Sequence, residues 1–131
     1  MFEIKTAGNF LDSSNFESLK YAIEHINPTP KLIIVMGHTK CGAITACYDY
    51  LTNSNHRHLK TNFPGIINSL AKPTTHAIAK HPHDRDNAIH EAAYENAKIE
   101  AECIVSKFYD ILQEKGIAVY HGMYDIDTGE A

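Results

Sequence analysis

The stretch Lys31-Leu32-Ile33-Ile34-Val35-Met36-Gly37-His38-Thr39-Lys40-Cys41-Gly42-Ala43 decides how this chain of 131 residues is read. Its first half is a β-branched apolar run of strand length, apolar on both faces, as a buried parallel strand would be. The run ends at Gly37, and a helix is expected over residues 43–51. Between them lie His38 and Cys41. In open α/β sheets, ligands bind at the carboxyl ends of strands, so this connection is the first place to look for chemistry. A His-x-x-Cys pair can hold one metal ion, because imidazole and thiolate both suit zinc. Cys41 at a helix N-terminus would also favour the thiolate. Gly37 and Gly42 permit tight backbone on either side. The spacing does not match a nucleotide-binding phosphate loop, which needs Gly-x-x-x-x-Gly-Lys-Ser/Thr. A buried structural thiol at Cys41 and a capping role for His38 remain the plain alternative.

Upstream, Phe2 and Ile4 alternate with Glu3 and Lys5, which predicts a short strand before the Gly8-Asn9 turn. Ser14 and Glu17 have capping-box spacing, and Phe16, Leu19, Ile23 and Ile26 predict an amphipathic helix over residues 15–26. Pro28 and Pro30 end it. Downstream, residues 52–86 hold Pro64, Pro73 and Pro82 and five of the nine histidines (His56, His58, His76, His81 and His83). They read as a loop-rich excursion with one or two short helices, around residues 66–70, and the histidines, His81-Pro82-His83 included, as solvated loop positions before a metal site. A long helix is expected over residues 86–115, with Asp84, Arg85 and Asp86 at its cap and Gly116 as its stop. Residues 117–126 read as a final strand. Asp127-Thr128-Gly129 would open a hairpin. The alternation of strands and helices predicts an α/β fold with a mostly parallel sheet flanked by helices, in one domain over residues 1–131.

Composition excludes several classes. The chain has 12 Lys+Arg against 16 Asp+Glu, a formal charge of −4, so it lacks the basic face that phosphate recognition needs and is not expected to bind nucleic acid. Apolar residues make up 44 %, enough for a core. The longest purely apolar run, Leu32 to Met36, cannot span a bilayer. Met1 to Lys5 do not resemble a signal peptide. Three cysteines, Cys41, Cys47 and Cys103, make no disulfide framework, which points to a reducing, cytoplasmic setting.

Five segments, in order, resemble the β-class carbonic anhydrases. Val35-Met36-Gly37-His38-Thr39-Lys40-Cys41-Gly42-Ala43 is similar to that family's second zinc-ligand motif. Lys5-Thr6-Ala7-Gly8-Asn9 resembles its Arg-Asn-Ala-Gly-Asn turn, and Ser18 to Ile23 its Ser-Leu-x-Tyr-Ala helix. Glu95-Asn96-Ala97 and Val119 to Asp125 resemble its late helix and closing strand. The resemblance implies a zinc enzyme that interconverts carbon dioxide and bicarbonate, with His38 and Cys41 as metal ligands and Gly8, Asn9, Gly37 and Gly42 beside the site. It also implies a homodimer or higher oligomer. Zinc would lower the pKa of a bound water to ~7 and so supply the attacking hydroxide.

One part of the family pattern is missing. No Cys-x-Asp-x-Arg motif, which carries the first zinc cysteine and an Asp–Arg pair, occurs in the 131 residues. The resemblance therefore implies an N-terminally truncated member lacking the family's first, central strand, with an incomplete ligand set and weak or no activity alone. No catalytic residue is assigned, because that Asp–Arg pair is absent. Cys47, farther along the helix, and Cys103, in the long helix, do not replace the missing ligand. The alternative is a non-catalytic remnant or interaction subunit that pairs with a full-length paralogue.

Overall fold

The computed structural model describes residues 1–131. Two seven-residue strands, β1 (Leu32–His38) and β2 (Ala118–Tyr124), pair in parallel with Leu32 opposite Ala118 and His38 opposite Tyr124. Six helices accompany them: α1 (Ser13–His25), α2 (Gly42–Thr52), α3 (His58–Asn62), α4 (Pro64–Lys80), α5 (Arg85–Lys107) and α6 (Tyr109–Lys115). The architecture is α/β, as the alternating pattern predicts.

α5 is the organising element. Its sequence places Ala88, Ala92, Ala93, Ala97 and Ala101 among its buried positions, and these small side chains let other elements come close. At its N-terminal half, Ile89, Ala92 and Ala93 meet Ile44 and Cys47 of α2 and Ile67, Leu70 and Ala77 of α4. At its C-terminal half, Ala97, Ala101 and Ile104 meet Val35 of β1, Leu19 and Ile23 of α1, Leu112 and Ile117. A Cβ on Gly37 would stand 3.0 Å from the Ala93 carbonyl oxygen and 2.9 Å from Met123 Sδ, so glycine is what allows α5 to lie against the end of β1. The Arg85 guanidinium pairs with Asp49 and lies over the Tyr48 ring, 5.1 Å from its centre, tying the start of α5 to α2. Its hydrogen bonds hold the Asp49 carboxyl below the usual carboxylate range.

Several sequence expectations are corrected. Residues 1–6 form no strand; Ile4 is half-buried against the second core cluster, and Phe2 stays exposed. α1 begins at Ser13, because Asp12 caps it by accepting the Asn15 N–H at 2.9 Å. Residues 52–86 are mostly helical. A 3₁₀ turn, Ser54–His56, leads into α3 and then the seventeen-residue α4. Pro64 starts α4 where its missing N–H costs nothing. Pro73 lies inside it, and burial of Ile67, Leu70 and Ala77 offsets the lost backbone bond. The long C-terminal helix is two helices. Phe108 breaks it with φ −114° and packs on Phe16, their ring centres 6.1 Å apart. Asp84 caps α5, accepting the Asn87 N–H at 3.2 Å, whereas Arg85 is used in the Asp49 pair. The Asp127–Gly129 turn forms, with Gly129 at φ +77°, but no strand follows it among these residues.

The apolar run of β1 is also only half covered. Lys31 O accepts the Ala118 N–H and Tyr124 O accepts the Thr39 N–H, so odd-numbered residues of β1 bond to β2. The side chains of Leu32, Ile34 and Met36 are exposed, whereas Val35 and Gly37 face α5. No helix of the chain is long and apolar enough to cross a membrane.

Replacing Gly37 by Ala should force α5 away from β1 and lower stability by about 1–3 kcal/mol, measured as a lower urea midpoint with an unchanged slope. Gly65→Ala, at an exposed position where a Cβ meets nothing within 4 Å, should show no such loss.

Candidate functional site

The carboxyl end of β1 turns sharply into α2. Lys40 adopts φ +53° in that turn, and its ammonium pairs with Asp127 at 2.6 Å. This bond raises the Lys40 pKa above its ordinary value. Thr39 Oγ1 accepts the Ile126 N–H at 3.1 Å, a second tie between this turn and the segment after β2. Cys41 then caps α2 without a side-chain hydrogen bond, its thiol left out of the capping network. Its carbonyl accepts both the Thr45 N–H, at 2.9 Å, and the Thr45 hydroxyl, at 2.8 Å. Cys41 is buried and His38 half-buried.

His38 Nδ1 lies 2.8 Å from Thr39 O. A carbonyl can only accept, so Nδ1 is the donor in this contact, and Nε2 is the ring nitrogen not engaged by it. Metal-binding histidines are commonly oriented in this way.

A second segment closes the site. Gly8 and Asn9 both adopt left-handed backbone, φ +86° and +52°, and the Asn9 N–H donates to Thr6 O at 3.1 Å. Asn96, buried on α5, donates from Nδ2 to Gly8 O at 2.9 Å and to Asn9 O at 3.0 Å. Asn9 Nδ2 in turn donates to Met36 O at 3.0 Å, on the edge of β1 that β2 does not use. One turn further along α5, Glu100 accepts the Leu11 N–H at 3.0 Å. Burial pushes the Glu100 carboxyl pKa up, opposed in part by that bond. Two polar side chains of α5 thus hold residues 8–11, and Asn9 passes the constraint to the strand just before His38.

Gly8, Asn9, Gly37, His38 and Cys41 line one cavity of about 10 Å³, together with Ile44, Ala93 and Asn96. That is space for roughly one water-sized group. Gly42 is exposed and does not line it. Sequence reasoning missed the lining role of Asn96. The available signal was an Asn spaced among the buried alanines of α5, where a polar side chain needs a partner.

The donor set can be tested against zinc. A zinc centre takes at least three protein ligands. Here the cavity offers one imidazole and one thiol, and no three His, Cys, Asp or Glu side chains gather anywhere in the chain. Cys47 is fully buried between α2 and α4, 3.8 Å from Ile67 O, and burial pushes its thiol pKa up. Cys103 is exposed on α5; partial burial, then Glu100 and Glu102, raise its pKa. Neither thiol reaches the cavity lining. The residues present do not fit a complete zinc centre; they fit part of one.

A family model described as carbonic anhydrase matches residues 1–131. Carbonic anhydrase 2 of Mycobacterium tuberculosis is 44 % identical over 46 residues, which are 35 % of this chain and 21 % of that protein. The β-carbonic anhydrase CafA of Aspergillus fumigatus superposes with a TM-score of 0.74 at 24 % identity, covering 94 % of this chain and 58 % of that chain. The β-carbonic anhydrase CcaA gives 0.78 at 20 %, covering 98 % and 64 %. One of two tetrameric β-carbonic anhydrases from Sordaria macrospora gives 0.66 at 17 %, covering 94 % and 62 %. The chain therefore matches about a fifth of the length of the curated relatives and about three fifths of these solved chains.

Two substitutions test the clamp. Asn96→Ala leaves the buried Gly8 carbonyl and the half-buried Asn9 carbonyl without their donor and should lower stability by about 1–3 kcal/mol, read from urea unfolding. Glu100→Gln keeps an acceptor for Leu11 and removes the charge. The folded Glu100 pKa lies above the ordinary 4.5, so native Glu100 favours folding most below that pH and loses this advantage as pH rises through its folded value. Glu100→Gln should therefore raise the urea midpoint at pH 7, and the gain should vanish near pH 4.

Proposed function

The chain belongs to the carbonic anhydrase family, in its β class, and on that premise we propose that it carries the His38–Cys41 part of the family's zinc centre. As a 131-residue polypeptide it holds zinc weakly and hydrates carbon dioxide slowly or not at all. A third protein ligand has to come from outside these residues for a complete centre to form. The observation that carries this reading is the shared cavity. His38, with Nδ1 engaged by Thr39 O and Nε2 free, lines it together with Cys41, and no other titratable side chain does.

In this reading the chain's own residues do the positioning. Asn9 and Asn96 fix the backbone on one side of the cavity, and the Thr45 bonds to Cys41 O fix it on the other. Ile44 and Ala93 supply apolar wall and limit access of water. The reading further takes residues 1–131 as one domain, with carbon dioxide and bicarbonate as its ligands once the centre is complete. Copies of the chain associate, in a reducing compartment such as the cytoplasm where the three thiols stay free.

A non-catalytic interaction subunit is the second reading, and the exposed apolar side chains of β1 favour it. Co-purification with a full-length carbonic anhydrase would support it.

Zinc titration of the purified chain with stopped-flow carbon dioxide hydration separates the outcomes. Substoichiometric zinc at micromolar levels, lost in His38→Ala and Cys41→Ser, with turnover near the uncatalysed rate, is expected. Near-stoichiometric zinc with fast turnover contradicts the proposal.

A further inference from the structure

Thr39 stands between the two donors of the cavity, and each of its polar groups is engaged. Its N–H donates to Tyr124 O at 2.9 Å, at the end of β2. Its Oγ1 accepts the Ile126 N–H at 3.1 Å. Its carbonyl accepts from His38 Nδ1 at 2.8 Å. The residue that orients the His38 ring is thus held by the last residue of β2 and by the segment just after it. Thr39 is β-branched, so its χ1 has few alternatives, and a bond to Oγ1 restrains the backbone along with the side chain.

The next residue makes such a restraint necessary. Lys40 adopts φ +53°, a left-handed conformation that a residue with a Cβ leaves when nothing holds it. Rotation there would swing the Thr39 carbonyl away from the imidazole. Two contacts with the segment after β2 could prevent it. The Lys40 ammonium pairs with Asp127 at 2.6 Å, but the two side chains are 68 % and 60 % exposed, so water and salt weaken the pair. The Thr39 contact uses a short side chain and a backbone N–H, so little side-chain freedom is lost in making it. The Ile126 N–H is also offered from a fixed frame. Asp125 Oδ1 accepts the Asp127 N–H at 2.9 Å and the Thr128 N–H at 3.3 Å, and Asp125 O accepts the Gly129 N–H at 2.7 Å.

We infer that Thr39 is a positioning residue for His38: its hydroxyl, anchored by the Ile126 N–H, holds the Thr39 carbonyl against Nδ1 and so sets the orientation of the ring that lines the cavity. The turn after β2 acts on the candidate site in this way, although none of residues 125–129 lines the cavity. The inference deepens the reading of His38 as a metal ligand and rests on it for its purpose. Ring orientation is measured without metal, so a failed zinc titration bears on that reading alone.

Nitrogen-15 spectra of the full chain with labelled histidine, at one fixed pH of about 8.5 where ordinary imidazoles are neutral, report which ring nitrogen carries the proton. The His38 signals are assigned by their loss in His38→Gln. The Nδ1–H form should predominate in the wild type. Thr39→Val keeps the shape of the side chain and removes the acceptor. The ratio of Nδ1–H to Nε2–H forms should then fall about 2- to 10-fold, the range of one ordinary hydrogen bond, and amide exchange at Ile126 should quicken. Thr39→Ser returns the hydroxyl and should restore both. Asp127→Asn should leave the ratio unchanged, and so should Thr52→Val, which removes a hydroxyl from the exposed end of α2. A ratio that Thr39→Val does not move, with Ile126 exchange quickened or not, overturns the inference. A ratio that Asp127→Asn lowers more than Thr39→Val does so too, since the restraint then runs through the ion pair. A wild-type His38 protonated mainly on Nε2 overturns it without any variant.

Discussion

Everything in this molecule depends on how closely α5 lies against the end of β1. The approach is set by an absence of side-chain volume. Gly37 presents no Cβ to the Ala93 carbonyl, and α5 answers with alanines. Dense packing of this kind has little tolerance, because an added methyl must move a helix or a strand. The same contact brings α2 and α4 into one core cluster and α1, β1 and α6 into the other, with α5 common to both. A parallel pair of strands alone is a poor folding unit, and it is the long helix that gives it a buried face.

The site inherits its order from that contact. Asn96 is placed on α5 beside Ala93, so the helix that meets Gly37 also holds Gly8 and Asn9. Asn9 then reaches the Met36 carbonyl on the strand edge that has no strand partner. A loop amide here does what a neighbouring strand would otherwise do, satisfying a backbone acceptor next to the cavity. The chemistry is therefore carried by few groups, one imidazole and one thiol, on a scaffold that fixes them from three sides. The scaffold is more complete than the ligand set.

What the sequence made legible was local. The turn from Gly37 to Gly42 could be read because a β-branched run, two glycines and a helix start lie within a dozen residues. The parallel sheet followed from alternation. α4 was hidden because Pro73 and a polar, histidine-rich composition suggested loop, while Ile67, Leu70, Thr74 and Ala77 kept helical spacing. Tertiary burial decided that segment, and propensity did not. The break at Phe108 likewise depends on a distant ring, Phe16. The bare face of β1 could not be seen at all. An apolar strand looks the same in sequence whether its outer face meets the chain's own helix or nothing within it. Asn96 was legible as a motif residue, but its partners lie 87 and 88 positions away, and only the fold brings them together.

The central claim is that this scaffold presents one imidazole and one cysteine to a metal ion, Cys41 alone among its three cysteines. Cobalt(II) titration of the full chain measures this most directly, since thiolate-to-cobalt charge-transfer absorption scales with the number of bound thiolates. The account predicts the intensity of a single thiolate, abolished by Cys41→Ser and unaffected by Cys47→Ser or Cys103→Ser. An intensity of two thiolates, halved by substitution of either of the other cysteines, would contradict it.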